Sequence, residues 1–349
     1  MRAKLVLGLS GGVDSAVAAQ ILMEHYDVTC LWLSIGPCAA GEADAAAVAA
    51  RLGLPFRTAD ISDPLEREVC APFAADYLAG RTPLPCARCN PLVKFPALCA
   101  LADELGAPYV ATGHYARTAP GPNGRTLLLK GGPANDQSYM LSRLPQDILR
   151  RAVFPLGERA KSLTRREAAG TGLPVADKPD SMEICFVPDG DYAAWLDRRG
   201  TAAPEGDFVD PAGSVLGRHR GIHHYTVGQG RGLGVSGPHR YFVSALDVEH
   251  DRVVLSDGSD LMASRVFCTR PNWISIDGLT GPTEVTVRLR HSRTETPATI
   301  RAADGGVLVE THEPVRAPTP GQLAAFYDGD VVVGSAWIEK KLDEGAESS

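Results

Sequence analysis

Two groups of residues in this chain are spaced for chemistry. The first is a set of thiols. Cys86 and Cys89 stand with two residues between them in "RTPLPCARCN", and Cys185 lies in "EICFV". The prolines and small residues around the CxxC predict a loop rather than core. A CxxC in a loop serves as a redox pair, as half of a metal site, or as a nucleophile beside a helper. Thiolate is the reactive form, so such cysteines call for electropositive, partly exposed surroundings, and Arg88 and Lys94 are the nearby cations. Cys185 sits between Ile184 and Phe186, a context that equally suits a small buried hydrophobe.

The second group is "LSGGVDSAV", Leu9 to Val17, which follows an apolar run and opens a helical pattern. Backbone N–H groups of Ser10, Gly11, Gly12 and Val13 can point into one concavity. Glycine lets an anion approach the backbone closely, and a helix N-terminus favours negative charge. Ser10 and Ser15 add hydroxyls. Asp14 repels phosphate unless Mg²⁺ sits between them. The motif lacks the spacing of a Walker A loop and of a dinucleotide fingerprint. A serine-capped glycine turn is the plain alternative for "SGG" alone.

The elements that must hold these groups alternate. "KLVLGLS", "DVTCLWLS", "FRTADIS" and "PYVATGHYA" predict strands. "DSAVAAQILMEHY", "DAAAVAARLG", "PLEREVCAPFAADYLAG" and "LVKFPALCALADELG" predict helices, the second closed by Gly53. Alternation of this kind predicts a parallel sheet with helices on both faces and ligands at the strands' carboxyl ends. "SLTRREAAGTG" carries Thr164 and Glu167 at capping-box spacing and a stop at Gly172. Beyond about residue 200 the chain turns rich in Gly, Pro and His. Short alternating runs then predict a small β module and a β-barrel or sandwich. The expected division is residues 1–200 (α/β, parallel sheet), 201–262 (small, β-rich), 263–342 (β-barrel) and a disordered tail, 343–349.

The chain has 349 residues, 44 % of them apolar, and a net charge of -7. That length predicts more than one core. The acidic balance disfavours nonspecific nucleic-acid binding, although Arg143, Arg150, Arg151, Arg159, Lys161, Arg165 and Arg166 cluster in one stretch. The N-terminal apolar run is short for a signal peptide, and no window has the length to span a bilayer. A cytoplasmic protein without membrane association is expected. Eight cysteines are too sparse for a secreted disulfide scaffold. Cys30, Cys70, Cys99 and Cys268 read as small buried hydrophobes, and Cys38 as a loop residue. His114, His219, His223, His224 and His239 lack metal-site spacing and read as RNA-facing or loop residues.

With these motifs in view, the S-G-G-x-D-S loop resembles the PP-loop of the ATP pyrophosphatase superfamily (adenine nucleotide α-hydrolase-like fold). "GRTPLPCARCNPLVKF", "ATGHYAR", "NDQSYMLSRL", "FPLGE", "DSMEICFV" and "HHYTVGQGRGLGVSG" follow in the order of tRNA-specific 2-thiouridylases of the MnmA type, so that the similarity covers residues 3 to 340. The resemblance implies that ATP activates the C2 oxygen of a tRNA wobble uridine as an adenylate, and that sulfur carried as a cysteine persulfide displaces AMP. It assigns the persulfide to Cys185 and the partner nucleophile to Cys89. It assigns ATP to Gly8, Leu9, Ser10, Gly11, Gly12, Val13, Asp14 and Ser15, with Leu33 and Gly113 offering backbone groups to adenine or ribose. It assigns tRNA, through the anticodon stem-loop, to Leu84, Pro85 and Cys86, to Asn135, Asp136, Gln137, Ser138 and Tyr139, and to Arg288 and Leu289. Asp136 and Gln137 would bond base edges and Tyr139 would stack, with helix-core packing as the plain alternative for Tyr139. The target base must leave its loop to reach a pocket. A cysteine desulfurase or sulfur relay carrier would supply the sulfur.

The chain departs from that pattern at several positions. Cys86 stands where the family has aspartate, Leu84 where it has asparagine, Glu183 where it has glycine, and Asn135 where lysine is common. With Cys86 a soft ligand, Cys86, Cys89 and Cys185 together suit a 4Fe–4S cluster with one iron open to sulfide. Other classes remain as alternatives: a paralogue thiolating another tRNA position, a PP-loop amidotransferase or ligase with no need of the cysteines, and a non-catalytic relic, against which the intact loop argues.

Overall fold

The computed structural model describes residues 1–36, 41–132, 134–179, 184–292 and 294–342. Cys38, Glu183 and the tail after Leu342 lie outside the described residues. The N-terminal part is built on strands β1 (Lys4–Gly8), β2 (Asp27–Ser34), β3 (Phe56–Asp60) and β4 (Tyr109–Thr112), as the sequence predicts. The strand period of two divides β1 between two cores. Leu5 and Leu7 pack with Ala16 and Val17 of helix α1 (Val13–Leu22), while Val6 packs on the other face with Leu98 and Ala102. Helix α2 (Glu42–Leu52) ends on Gly53, whose φ of 68° is the left-handed cap expected there.

Two helices carry a π turn. Helix α3 (Ser62–Leu65) runs through Glu66–Cys70 into α4 (Ala71–Leu78), and α5 (Pro85–Cys89) through Asn90–Lys94 into α6 (Phe95–Leu105). The CxxC is therefore helical, not a loop. Pro85 occupies the first turn, where its fixed φ suits the helix and its missing N–H costs nothing.

A hairpin, β5 (Ala116–Pro120) and β6 (Thr126–Lys130), leaves the sheet, and β7 (Ala152–Val153) returns to it. The sheet order is β3-β2-β1-β4-β7, all parallel. The chain reverses direction across the sheet between β1 and β4, the position where such sheets take ligands.

Short helices α7 (Ser138–Leu141) and α8 (Gln146–Leu149) precede α9 (Lys161–Gly170) and α10 (Tyr192–Arg198). The expected capping box at Thr164 is misplaced, because α9 begins three residues earlier. Thr164 is buried inside it with its hydroxyl 3.2 Å from that of Tyr115, and Glu167 pairs with Arg159.

Strands β8 (Gly206–Val209), β9 (Val215–His219), β10 (Phe242–Asp247) and β11 (Arg252–Ser256) form a separate sheet over Phe208, Tyr225 and Val243. His219 and His223 are buried here, which corrects their expected RNA-facing role. His219 Nδ1 accepts the Gly221 N–H and His223 Nδ1 accepts the Ala203 N–H, so both rings close loops.

Strands β12 (Met262–Trp273), β13 (Thr283–Arg288), β14 (Thr296–Ala303), β15 (Gly306–Arg316), β16 (Leu323–Asp328) and β17 (Val331–Leu342) close a six-stranded barrel through a β12–β17 pairing. The β5–β6 hairpin extends this barrel, with Leu129 opposite Val331 and the Lys130 N–H on Asp330 O. Arg125 at the hairpin donates to Ile274 O and Trp273 O, both at 2.7 Å. No helix among the described residues is long and apolar enough to cross a membrane.

The segment expected to meet RNA bases, Asn135–Tyr139, lies at this joint. Asp136 accepts from the Gly131 and Ser138 N–H groups and the Ser138 hydroxyl. It also receives Arg288 Nη1 of the barrel at 2.5 Å, while Glu295 takes Arg288 Nη2 at 2.7 Å. Tyr139 is 1 % exposed and donates to Leu323 O. Its ring has no face open to a base. Asp136→Ala should therefore cost about 3 kcal/mol, the low end for breaking a buried pair because Glu295 still holds Arg288. Denaturant titration measures this; a loss below about 0.5 kcal/mol would contradict the joint.

Candidate nucleotide and thiol site

At the carboxyl end of β1 the chain turns on Gly11 (φ 67°), and Gly12 caps α1 in extended conformation. A Cβ on Gly11 would lie 2.4 Å from Gly41 O, so no other residue fits. Ser15 is the loop's internal tie. Its hydroxyl accepts the Ser10 N–H at 3.1 Å, lies 3.0 Å from the Ser10 hydroxyl, and donates to Gly12 O. The Ser10 N–H is thus spent inside the loop rather than offered to a ligand, contrary to expectation. Leu9 N–H is likewise spent, on Leu31 O. The N–H groups of Gly11, Gly12, Val13 and Asp14 have no acceptor among the described residues. These four orphan donors, at a helix N-terminus where a Cβ on Gly12 would meet only Ser10 Oγ at 3.5 Å, fit an anion.

Gly8 closes β1, and half-buried Leu33 lies at the end of β2. Gly113 presses on the first turn of α1, where a Cβ would come within 2.8 Å of Ser15 N. Asp14 accepts from the Tyr115 hydroxyl at 2.7 Å and from Lys161 Nζ at 3.2 Å. Lys178 Nζ bonds Gly11 O at 3.0 Å and Asp44 at 2.6 Å. A trans peptide points C=O and N–H in opposite directions. Holding Gly11 O toward Lys178 therefore turns the Gly12 N–H away from it. Tyr115, Lys161 and Lys178 were not anticipated from the sequence; the only signal was a cation in the segments after "ATGHYA" and before "EICFV".

The thiols meet nearby. Cys86 and Cys185 are exposed and Cys89 is half-buried. Ile184 and Phe186 pack into aromatic clusters, Phe186 lying 5.3 Å from Phe73 and 5.2 Å from Trp195, so Cys185 is presented between two anchors rather than buried with them. Leu84 and Pro85 are buried under the CxxC helix and Ala87 with them, leaving Cys86 outward. Asn90 Nδ2 ties the following π turn to Met140 O of α7. Cys185 lies near enough to Cys86 and Cys89 that charge on one thiol would raise the others, which brings a third thiol from distant sequence to the CxxC. Cys30, Cys70 and Cys268 are buried as expected, while Cys99 is half-buried.

The thiols are not the depressed ones the sequence suggested. Burial pushes Cys89 up to about 11 and Cys185 upward, and the Lys94 ammonium pulls both back. Arg88 does not share in this; its Nε goes to Glu68 O. Solvent touches Cys185, but the space around it is mostly protein, and desolvation of a thiolate there outweighs one ammonium.

Among the expected RNA contacts, Gln137 accepts the Tyr115 N–H, and the Asn135 amide, suitably oriented, bonds Ala134 O and the Lys161 N–H. Ser138, Leu289 and Arg288 are buried. Of the whole set, Cys86 alone is exposed. The base-edge role expected for Asp136 and the stacking role expected for Tyr139 are thus corrected, since their polar atoms are already bonded within the protein, while Gln137 is held through its Oε1 alone.

Among the described residues one constellation, Asp197, His223 and His224, has metal-capable atoms within 4.8 Å of one another. His223 Nδ1 accepts a backbone N–H, so Nε2 carries the proton that bonds Asp197 at 2.9 Å. That ring has no lone pair left for a metal, and the trio joins α10 to the neighbouring sheet instead.

A parallel-sheet domain with an anion-binding loop at its switch point, thiols in the same domain and a barrel docked on it defines a nucleotide-binding protein equipped for cysteine chemistry. The family described as "tRNA methyl transferase HUP domain" matches residues 3–189. The "tRNA methyl transferase PRC-barrel domain" matches residues 194–257, and the "Aminomethyltransferase beta-barrel domain" residues 264–338. The tRNA-specific 2-thiouridylase MnmA of Heliobacterium modesticaldum is 44 % identical over 98 % of this chain and 94 % of its own. That of Cutibacterium acnes is 44 % identical over 96 % of each, and that of Geobacter metallireducens 40 % over 99 % of each. The chain belongs to the tRNA-specific 2-thiouridylase family.

Because the Cys89 thiol lies near 11, its thiolate fraction grows about tenfold per pH unit below that value. Iodoacetamide labelling of Cys89, followed by peptide mass spectrometry from pH 7 to 9 (roughly the range where thiols begin to ionise), should rise about a hundredfold. Lys94→Ala should slow it further and Lys94→Arg restore it. A plateau by pH 8 would show a thiol of ordinary acidity instead.

Proposed function

We propose that this chain catalyses ATP-dependent thiolation of the wobble uridine of tRNA at C2. The observation that carries it is the placing of an orphan-N–H anion cradle and interacting thiols in one chain of this family. Methyl transfer, the chemistry in the family descriptions, and amide formation would both leave the thiols without a role.

In this reading Gly11, Gly12, Val13 and Asp14 N–H groups receive the ATP phosphates, with Lys178 and Lys161 close enough to balance their charge. Leu33 and Gly113 lie beside adenine and ribose. Asp14 is the carboxylate for Mg²⁺, which would neutralise phosphate charge where the Lys161 ammonium now sits. The uridine C2 oxygen attacks the α-phosphorus and pyrophosphate leaves. The terminal sulfur of a Cys185 persulfide then attacks C2, and AMP leaves with the oxygen. Cys89 attacks the inner sulfur of Cys185, which breaks the persulfide bond, forms a Cys89–Cys185 disulfide and leaves the sulfur on the base. A cysteine desulfurase or relay carrier supplies the sulfur, and a thiol reductant cleaves the Cys89–Cys185 disulfide to return both free thiols. In this reading residues 1–200 carry the chemistry, 201–262 form the small central domain, and the barrel of 263–342 contacts tRNA.

Cys185→Ser should reduce thiolation to background while ATP binding stays within about twofold, since the cradle does not include that residue. Mass spectrometry of tRNA nucleosides from a deletion strain should show loss of 2-thiouridine derivatives. Unchanged thionucleosides would reject the reading, and loss at another tRNA position would reassign the target.

A second reading rests on one observation, the exposed Cys86 beside Cys89 and Cys185. The three thiols fit a 4Fe–4S cluster as ligands, which would supply an open iron for sulfide. They do not form a group with all sulfurs within 4.8 Å, the spacing of a single-ion site. Anaerobic purification with iron and labile-sulfide assays decides this: about four irons lost on Cys86→Ala supports the cluster, and iron-free protein of full activity removes it.

A further inference from the structure

The cleft between the CxxC helix and the barrel holds an arginine, Arg270, in an unusual backbone conformation. The β12–β17 register shifts between Thr269 and Asn272, and at this bulge Arg270 adopts φ 51°, a left-handed conformation unusual for a residue with a Cβ. The bulge is held in place. Arg143 Nη1 donates to Arg270 O at 2.7 Å and to Ser335 O at 3.1 Å. Strain of this kind persists where surrounding contacts over-determine it, and it re-aims a side chain. The side chain so aimed is exposed, lies over the Trp337 ring at 5.9 Å, and has no hydrogen-bond acceptor among the described residues.

Across the same cleft stands Arg88 of α5, between Cys86 and Cys89 along that helix's first turns. Its Nε is used by Glu68 O, and its two terminal amino groups have no acceptor among the described residues. Asp76 and Arg81 line the cleft too, but they answer each other. Arg81 binds Glu339 through both amino groups, at 2.9 and 3.1 Å, and reaches Asp76 at 3.6 Å. Three arginines (81, 88 and 270) meet two carboxylates (76 and 339), an excess of one positive charge. Two planar, donor-rich guanidinium groups without acceptors, facing one cleft, match the oxygens of a phosphodiester.

We infer that Arg270 and Arg88 form a backbone-phosphate site for RNA, which seats the strand beside the nucleotide presented to the thiols. The inference rests on the tRNA substrate proposed above. ATP is already provided for by the cradle on the sheet, so the guanidinium groups at the mouth of this cleft are left for a second polyanion passing over them. A phosphate contact carries no sequence information; it sets register. That is what this position asks for, since the strand must be held on the barrel side while one base turns toward Cys86, Cys89 and Cys185.

The test is tRNA binding by fluorescence anisotropy, with full-length protein, from about 50 to 200 mM salt, where the slope of log Kd against log salt counts phosphate contacts. Arg270→Ala should lower the slope by about one, and Arg270→Lys should retain most of it. Arg270→Gly relieves the left-handed φ while removing the charge, so it should lose the same slope with equal or higher thermal stability. ATP binding should be unchanged in all three. An Arg270→Ala slope equal to that of the unsubstituted protein overturns the inference. Inorganic phosphate at matched ionic strength should not displace tRNA; protection of the cleft by phosphate with an unaltered tRNA slope would mark a free-anion site and overturn it as well. Failure of the unsubstituted protein to bind tRNA would instead reject the substrate.

Discussion

The pair Asp136–Arg288 is the contact on which the working geometry depends. Its carboxylate collects donors from the N-terminal domain, Gly131 and Ser138, and from the barrel at once. Few groups are as costly to leave unpaired as a buried guanidinium, so the barrel's position is coupled to the loop before α7. Through Met140 O, the same helix anchors Asn90 and hence the π turn after the CxxC. One ion pair thus sets where the thiol helix and the barrel wall stand relative to each other. The space between them is where Arg88 and Arg270 meet.

Chemistry at the thiols works against burial. Desolvation keeps Cys89 and Cys185 protonated near neutral pH, and Lys94 only partly offsets it. This suits a protein that must hold reactive sulfur without losing it to solvent oxidants. Thiolate forms readily only where extra positive charge or a better sulfur nucleophile arrives, as when a persulfide is loaded. The PP-loop follows the opposite plan. Its four N–H groups have no acceptor among the described residues, so they are free to bind an anion without breaking a bond within those residues.

How much of this was legible in the sequence depends on the range of the interaction. Strands β1 to β4, helix α1 and the Gly53 cap follow from local period and turn chemistry, and they appear where expected. The anion loop is legible for the same reason. The CxxC helix was not, because Pro85 reads as a loop former unless its first-turn role is known. The role of "NDQSY" was least legible. Asp136 and Arg288 are 152 residues apart, and polar residues that satisfy each other in a joint look the same, in sequence, as polar residues awaiting a base. Tyr139 shows this most plainly, since its hydroxyl reaches Leu323 O, 184 residues on. His223 was misjudged for the same reason, its partners being Asp197 and Ala203.

The hairpin β5–β6 carries a last consequence. It leaves the nucleotide domain and becomes part of the barrel's sheet, and Arg125 at its turn is bonded to two barrel carbonyls. Backbone pairing of this kind does not slide. The barrel is therefore tied to the nucleotide domain by main-chain bonds, and sliding one past the other would break them. The RNA must deform as well, unstacking and turning a nucleotide to present it. A tRNA whose anticodon loop distorts cheaply will be accepted over one that is stiff, a selection made on elasticity even at bases the protein never touches.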